Sequence, residues 1–243
     1  MKISVFFICK GNCMKRFLTV FLICFMALGF LVGCGGGGGG STPSSEPTTP
    51  TNPPPDPSSW TIIALGDSIT YGINHDNPNE EGYVPKLSRM LGKEVINLGV
   101  PGVRSDYVAD HLVENLEKYH PTHVLVLVGA NDVEQFPYDV SHYIHVMQYI
   151  VRTIRDYHAI PIVGTLTPFC HEYEEDYYTK NINDRNAALH KYLEQEMSVT
   201  LADFAAVFTC DMMEYNGGHH PNSWGYEVMA QIWYETLMKN PQY

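Results

Sequence analysis

Five short runs of β-branched and apolar residues, at 61–65, 94–98, 123–128, 160–165 and 199–203, alternate with longer amphipathic stretches over the last three-quarters of this 243-residue chain. A strand that is apolar along its whole length is buried on both faces, and strands separated by helices are joined by crossovers. The pattern therefore predicts βαβ units and a parallel sheet covered by helices on both sides. Val108, Leu112 and Leu116 share one helical stripe, as do Tyr143, Met147, Ile150 and Ile154, and then Leu189 and Leu193. Val228, Ile232 and Trp233 mark a closing helix. No internal repeat and no second domain is visible. In such sheets the loops leaving the carboxyl ends of the strands converge on one edge, so the residues just after each strand are the ones able to form a site.

The first quarter of the chain cannot contribute to that core. Lys15 and Arg16 precede a nearly uncharged stretch, 17–33, and Leu31-Val32-Gly33-Cys34 resembles the lipobox of bacterial lipoprotein signal peptides. Residues 1–34 are accordingly expected to be a signal peptide with Cys34 as the lipidated mature N-terminus, the alternative being a short transmembrane anchor. Met14 stands directly before the basic pair, so translation can start at Met1 or Met14. Residues 35–40 are unbroken glycine and 41–59 are almost all Ser, Thr, Pro, Asn and acid, a composition for a flexible linker. The domain is then 60–243, held at a bacterial membrane in the cell envelope and exported from the cytoplasm.

Removing residues 1–33 takes away Lys2, Lys10, Lys15 and Arg16 and no acid, leaving 11 basic against 27 acidic residues and a net charge of −16. A nucleic-acid partner is excluded on that balance. Cys9, Cys13 and Cys24 fall in the leader and Cys34 is assigned to lipid, so Cys170 and Cys210 are the two cysteines of the domain. In an exported protein they can pair, here near the pocket mouth, or stay as two separate buried thiols. No ligand-spaced Cys/His set accompanies them, and neither a metal nor a cofactor is expected. The acidic run 171–176 reads as a solvated loop, with calcium or a cationic substrate group as the alternative.

Gly66-Asp67-Ser68-Ile69-Thr70 closes the first apolar run and puts a hydroxyl where a buried strand surfaces into a turn, the placement a serine nucleophile requires. Thr70 occupies the last glycine of a Gly-x-Ser-x-Gly elbow, which disfavours the α/β-hydrolase arrangement. Asn97-Leu98-Gly99-Val100-Pro101-Gly102 follows the second strand, Gly129-Ala130-Asn131-Asp132 the third, and His220-Pro221-Asn222 precedes the last helix. Each segment alone is ordinary turn or cap chemistry. Together, in this order, they supply a nucleophile, a backbone donor, an amide donor and a base, the four roles acyl transfer needs.

In that order these blocks resemble those of the SGNH or GDSL hydrolases, over residues 60–237. The resemblance implies a three-layer α/β/α sandwich with a five-stranded parallel, flavodoxin-like sheet. It implies Ser68 as nucleophile and first oxyanion donor, Gly102 as second donor through its N–H, Asn131 as third through its side-chain amide, and His220 as base. His219 is the alternative base, but Pro221-Asn222 and Gly225-Tyr226 match the family only with His220 aligned.

One departure stands out. In the family an Asp three residues before the histidine orients it, and Gly217 occupies that position here. Loss of the orienting carboxylate can lower the rate by about four orders of magnitude. Asn216, a backbone carbonyl, Asp211 or Glu214 could replace it, with the carbonyl or Asn216 preferred over the more distant acids. The expected function is an exported, lipid-anchored serine esterase acting on a small or medium acyl ester, of a small molecule or an acetylated carbohydrate, through an acyl-enzyme on Ser68. The alternative is a non-catalytic ligand- or glycan-binding lipoprotein that kept the fold after losing the triad Asp.

Overall fold

The computed structural model describes residues 57–74, 81–136, 139–170, 175–214 and 218–239. Cys34, the leader, most of the linker, residues 171–174 of the acidic run and the pair Asn216-Gly217 lie outside them. After a 3-10 turn at Pro57–Ser59, the elements run β1 (Ile62–Gly66), α1 (Ser68–Tyr71), α2 (Tyr83–Leu91), β2 (Val95–Gly99), α3 (Ser105–Asp110) and α4 (Leu112–Tyr119). They continue with β3 (His123–Leu127), α5 (Ala130–Gln135), α6 (Val140–Asp156), β4 (Ile160–Gly164), α7 (Glu175–Ala188), a π-helical stretch (Leu189–Gln195), β5 (Thr200–Ala202), a 3-10 turn (Cys210–Met212) and α8 (Ser223–Lys239).

All five predicted strands are present, paired in parallel in the order β2-β1-β3-β4-β5. This is the doubly wound order in which the direction of winding reverses beside β1. Alternate residues of β1 serve opposite faces, as a period of two demands. Ile62 and Ala64 pack with Tyr83, Leu87, Met229 and Trp233, while Ile63 and Leu65 pack with Val108, Leu112, Met147 and Ile150. Two apolar layers thus clamp one sheet, and a strand feeding both has no room for a polar face.

The stripe Val108–Leu112–Leu116 is buried as expected but is carried by two helices, because the chain leaves helical geometry at His111 (φ −101°, ψ 3°). The Leu189/Leu193 stripe is likewise buried, on π-helical backbone. In α8 the core anchor is Trp233, fully buried, with Val228 and Ile232 at its margin. At the amino end of the sheet His123 is buried against the Trp60 ring at 4.4 Å, and burial pushes its imidazole down to about 4. Among the described residues no helix is long and apolar enough to cross a membrane.

Candidate active site

The register aligns the carboxyl ends of the central strands, pairing Gly66 with Gly99 on one side and with Leu127 on the other. A Cβ on Gly66 would sit 2.2 Å from the Leu127 carbonyl oxygen and from Thr70 Oγ1, so only glycine lets the turn after β1 close against β3. Asp67 then caps α1 by accepting the Ile69 N–H at 3.0 Å, and Ser68 becomes the first helical residue. Thr70 points inward, where its hydroxyl meets the Tyr83 hydroxyl at 3.0 Å. Burial pushes the Asp67 carboxyl up to about 7; the Ile69 N–H opposes that shift and the Asp132 charge adds to it.

Gly102 follows β2 in a turn anchored by the Val100 N–H on the Gly66 carbonyl at 3.0 Å. Its φ of +77° is the left-handed conformation that glycine adopts without cost. Asn131 enters from α5, and its Nδ2 donates to the Val103 carbonyl at 2.7 Å, which fixes the amide and leaves its second hydrogen for a ligand. Asp132 beside it is structural. It accepts the Ser105 N–H at 3.0 Å and the Ser105 hydroxyl at 2.5 Å, riveting α5 to the start of α3. From α7 the buried Arg185 donates to the Phe136 carbonyl at 2.8 Å and the Asp132 carbonyl at 3.3 Å, holding α5 from behind. The sequence reading missed Ser105, Asp132 and Arg185 as supports; an arginine inside an amphipathic helix is ordinary surface chemistry until the fold buries it.

His220 reaches the same edge from a different kind of structure. An antiparallel bridge joins Met213 to Pro221, and the Glu214 N–H donates to the His220 carbonyl at 2.9 Å. Asn222 knits the base of this hairpin, its Nδ2 donating to the Asp211 and Met213 carbonyls at 2.9 and 3.1 Å and its Oδ1 accepting the Gly225 N–H at 2.9 Å. The Cys170–Cys210 disulfide, with Cα atoms 5.5 Å apart, and a 3.0 Å bond from the Cys170 N–H to the Gly218 carbonyl tie the hairpin to the segment after β4.

The outcome is contact between residues 152 positions apart: His220 Nε2 lies 2.8 Å from Ser68 Oγ. His219 turns elsewhere, its Nε2 3.5 Å from Glu134 Oε1 and its ring 4.0 Å from Phe169. On the far side of the His220 ring, Nδ1 is 3.8 Å from Glu214 Oε2, a carboxylate only 1% exposed. The sequence reading prefers Asn216 or a backbone carbonyl; Asn216 lies outside the described residues, and among the described residues the acid at Nδ1 is Glu214. Asp211 faces away and accepts the Thr209 hydroxyl.

Ser68, Gly102, Asn131 and His220 line one cleft of about 270 Å³, together with Glu134 and His219. Burial pushes the Glu134 carboxyl up. All four residues assigned roles in the domain are thus brought together; the fifth, Cys34, is outside the described residues.

Residues 64–228 match the GDSL-like Lipase/Acylhydrolase family. The chain belongs to that family. Its class of chemistry follows: a GDSL-type serine hydrolase acting on ester bonds. A comparison with curated proteins finds no match. Among solved structures, a lipolytic protein of the G-D-S-L family from Desulfitobacterium hafniense DCB-2 is similar with a TM-score of 0.63 and 20% identity, over 73% of this chain and 99% of that one. An acetyl xylan esterase from Geobacillus stearothermophilus gives a TM-score of 0.60 at 18% identity, over 74% and 95% of the two chains. A psychrotrophic esterase from Pseudoalteromonas sp., inhibited by monoethylphosphonate, gives 0.54 at 21% identity, over 74% and 97%. At these identities the likeness establishes the shared GDSL fold, and this chain's own geometry must carry the roles of its residues.

Proposed function

We propose that this GDSL hydrolase is an exported esterase, tethered to a bacterial envelope membrane through lipid on Cys34, that cleaves small acyl esters by way of an acyl-enzyme on Ser68. The observation that carries the reading is the 2.8 Å contact of His220 Nε2 with Ser68 Oγ, the geometry of a general base on its nucleophile. As Oγ attacks the ester carbonyl carbon, Nε2 takes its proton and then returns it to the leaving alcohol oxygen. A water deprotonated by the same nitrogen attacks the acyl-serine, the C–O bond to Ser68 breaks, and the imidazolium returns the proton to Oγ as the acid departs. The oxygen that gains charge in each step is met by the Ser68 and Gly102 N–H groups and the Asn131 amide, donors in place before the charge develops.

A cleft of about 270 Å³ lies just below the usual range for ligand pockets, roughly 300–1,000 Å³, and favours a short acyl chain. Tyr71, three residues after the nucleophile, and Trp224, four after the base, are 59% and 51% exposed. Exposed aromatic faces this near in sequence to the nucleophile and the base suit an acetylated carbohydrate better than a lipid tail. A domain of net charge −14, with 11 basic and 25 acidic residues in 60–243, repels polyanions. The non-catalytic alternative rested on a missing carboxylate, and Glu214 at Nδ1 removes that ground.

A fluorophosphonate probe is expected to label Ser68, with labelling abolished in Ser68→Ala, and p-nitrophenyl acetate to be cleaved faster than longer-chain esters. An unlabelled, inactive wild type would overturn the catalytic reading. Cys34→Ala is expected to move the protein from the detergent to the aqueous phase on detergent partitioning, and partitioning that does not change would reject the lipid anchor.

A further inference from the structure

Resting on the esterase reading above, we infer that Glu214 is the positioning residue of the base, doing from six residues upstream what the family's Asp does from three. The bridge between Met213 and Pro221 sets an antiparallel register in which Glu214 and His220 are the next pair, directly opposite each other, and the Glu214 N–H bond to the His220 carbonyl at 2.9 Å confirms that pairing. Opposed residues on an antiparallel pair project to the same side, with Cβ atoms about 4.5–5.5 Å apart. The side chains therefore meet because of strand pairing, with no help from their spacing in the chain.

The carboxylate is placed to act on the ring and on little else in water. Its side chain is 1% exposed, and Oε2 lies 3.8 Å from Nδ1, on the side of the imidazole away from Ser68. A buried carboxylate is stabilised by a positive charge beside it, and the imidazolium that forms on His220 supplies one at Oε2. Contacts of this kind are commonly long before substrate binds and shorten when the imidazolium forms. The Gly218 N–H on the Glu214 carbonyl at 3.3 Å, the Cys170 N–H on the Gly218 carbonyl and the Cys170–Cys210 bond brace the hairpin from outside. Glu214 thereby selects the tautomer with hydrogen on Nδ1, leaves Nε2 unprotonated to accept from Ser68, and stabilises the imidazolium.

Titration reads this role directly. Among the described residues the groups facing His220 include Glu214 on the hairpin, Ser68 on α1, and His219 beside it, itself paired with Glu134 of α5. Tyr226 of α8 faces Glu214; its hydroxyl is raised by burial first and by the Glu214 charge second. Among the described residues, Glu214 alone places a carboxylate at the His220 ring itself. Removing its charge is therefore expected to move the acid limb of the kcat/KM profile to lower pH.

The experiment compares wild type, Glu214→Gln and Glu214→Asp on p-nitrophenyl acetate, with full pH profiles and with the folded fraction measured by circular dichroism. Glu214→Gln is expected to lose about 10²- to 10⁴-fold in kcat with KM little changed, and Glu214→Asp to recover part of the loss. Wild-type kcat per folded molecule in Glu214→Gln, with the acid limb unmoved, overturns the assignment. If Glu214→Gln does not fold, Glu214→Asp decides: a lowered kcat with a shifted limb supports the role, and wild-type behaviour overturns it. An inactive, unlabelled wild type would instead bring down the esterase reading itself, so the two failures are distinguishable.

Discussion

The two halves of the site are built on different principles. Ser68, Gly102 and Asn131 sit on turns that leave β1, β2 and β3 directly, each within four residues of a strand end, and the sheet beneath them is buried on both faces. His220 and Glu214 sit on a hairpin that belongs to no sheet strand, and among the described residues its ties include the Met213–Pro221 bridge, the disulfide, the Cys170 N–H bond to the Gly218 carbonyl and the side chain of Asn222. The first half is fixed by the core of the domain, the second by a few ties between loops. The oxyanion side should thus survive perturbations that disorder the base.

Removing the amide at Asn131 tests the sheet-anchored half most severely. Asn131→Ala is expected to cost about 10²- to 10³-fold in kcat with little change in melting temperature, since loss of one oxyanion donor acts on the transition state. A loss confined to KM would show that Asn131 only binds substrate.

Cutting a tie on the other half should act differently. The disulfide closes a loop across a sequence separation of 40, and its replacement by Cys170→Ser with Cys210→Ser is expected to lower stability by about 2–4 kcal/mol. The folded remainder should also lose kcat, because Gly218 and the hairpin lose their outer brace. Full activity in the serine pair, measured per folded molecule, would show that the bridge and Asn222 suffice.

A smaller effect is a pair of opposed pH slopes within the sheet-anchored half. Asp67 titrates at about 7 in the folded protein against an ordinary value of 3.8, so between about pH 4 and pH 7 the folded state holds a proton that the unfolded state has lost. Its contribution to stability is therefore lost progressively as pH rises through that window. His123 works in the opposite sense, its imidazole lowered from 6.5 to about 4, and its contribution grows as pH rises from about 4 to 6.5. Asp67→Asn removes one of these slopes and should gain stability relative to wild type as pH rises from about 4 to 7, as chemical denaturation would show. A pH-independent difference between the two proteins would contradict burial as the cause.

The least effect is expected at Glu134, which faces the cleft 3.5 Å from His219 and outside the Ser68–His220 contact. Glu134→Gln should change KM for carbohydrate esters by a few-fold and leave kcat for p-nitrophenyl acetate intact. A large fall in kcat would place Glu134 in the reaction.

The contrast between the halves also governs what could be read from the chain. The five strands were legible because burial on both faces leaves a short, unbroken apolar run between turn residues, and Ser68, Gly102 and Asn131 were legible because each follows such a run. His220 could be found from its neighbours Pro221 and Asn222. Glu214 could not be ranked first, because its proximity to His220 depends on an antiparallel pairing that no local pattern announces, and Gly217 directed attention to a spacing of three. Ser105, Asp132 and Arg185 escaped for a related reason. Their hydrogen bonds join residues 27 to 53 positions apart, and a polar side chain in a helix carries no mark of the distant carbonyl or hydroxyl it will meet. The break at His111 and the π-helical turn kept the apolar stripes in place while altering the backbone that carries them, so periodicity reported the burial correctly and the geometry only in part.

The bridge at Met213 and Pro221 has one more implication. Since acid and imidazole are neighbours across a ladder and not along a thread, their meeting is set by the pairing of Met213 with Pro221 and not by a count of the residues between them. A relative that carries its acid at another spacing meets the same requirement at the imidazole and escapes any search that counts positions.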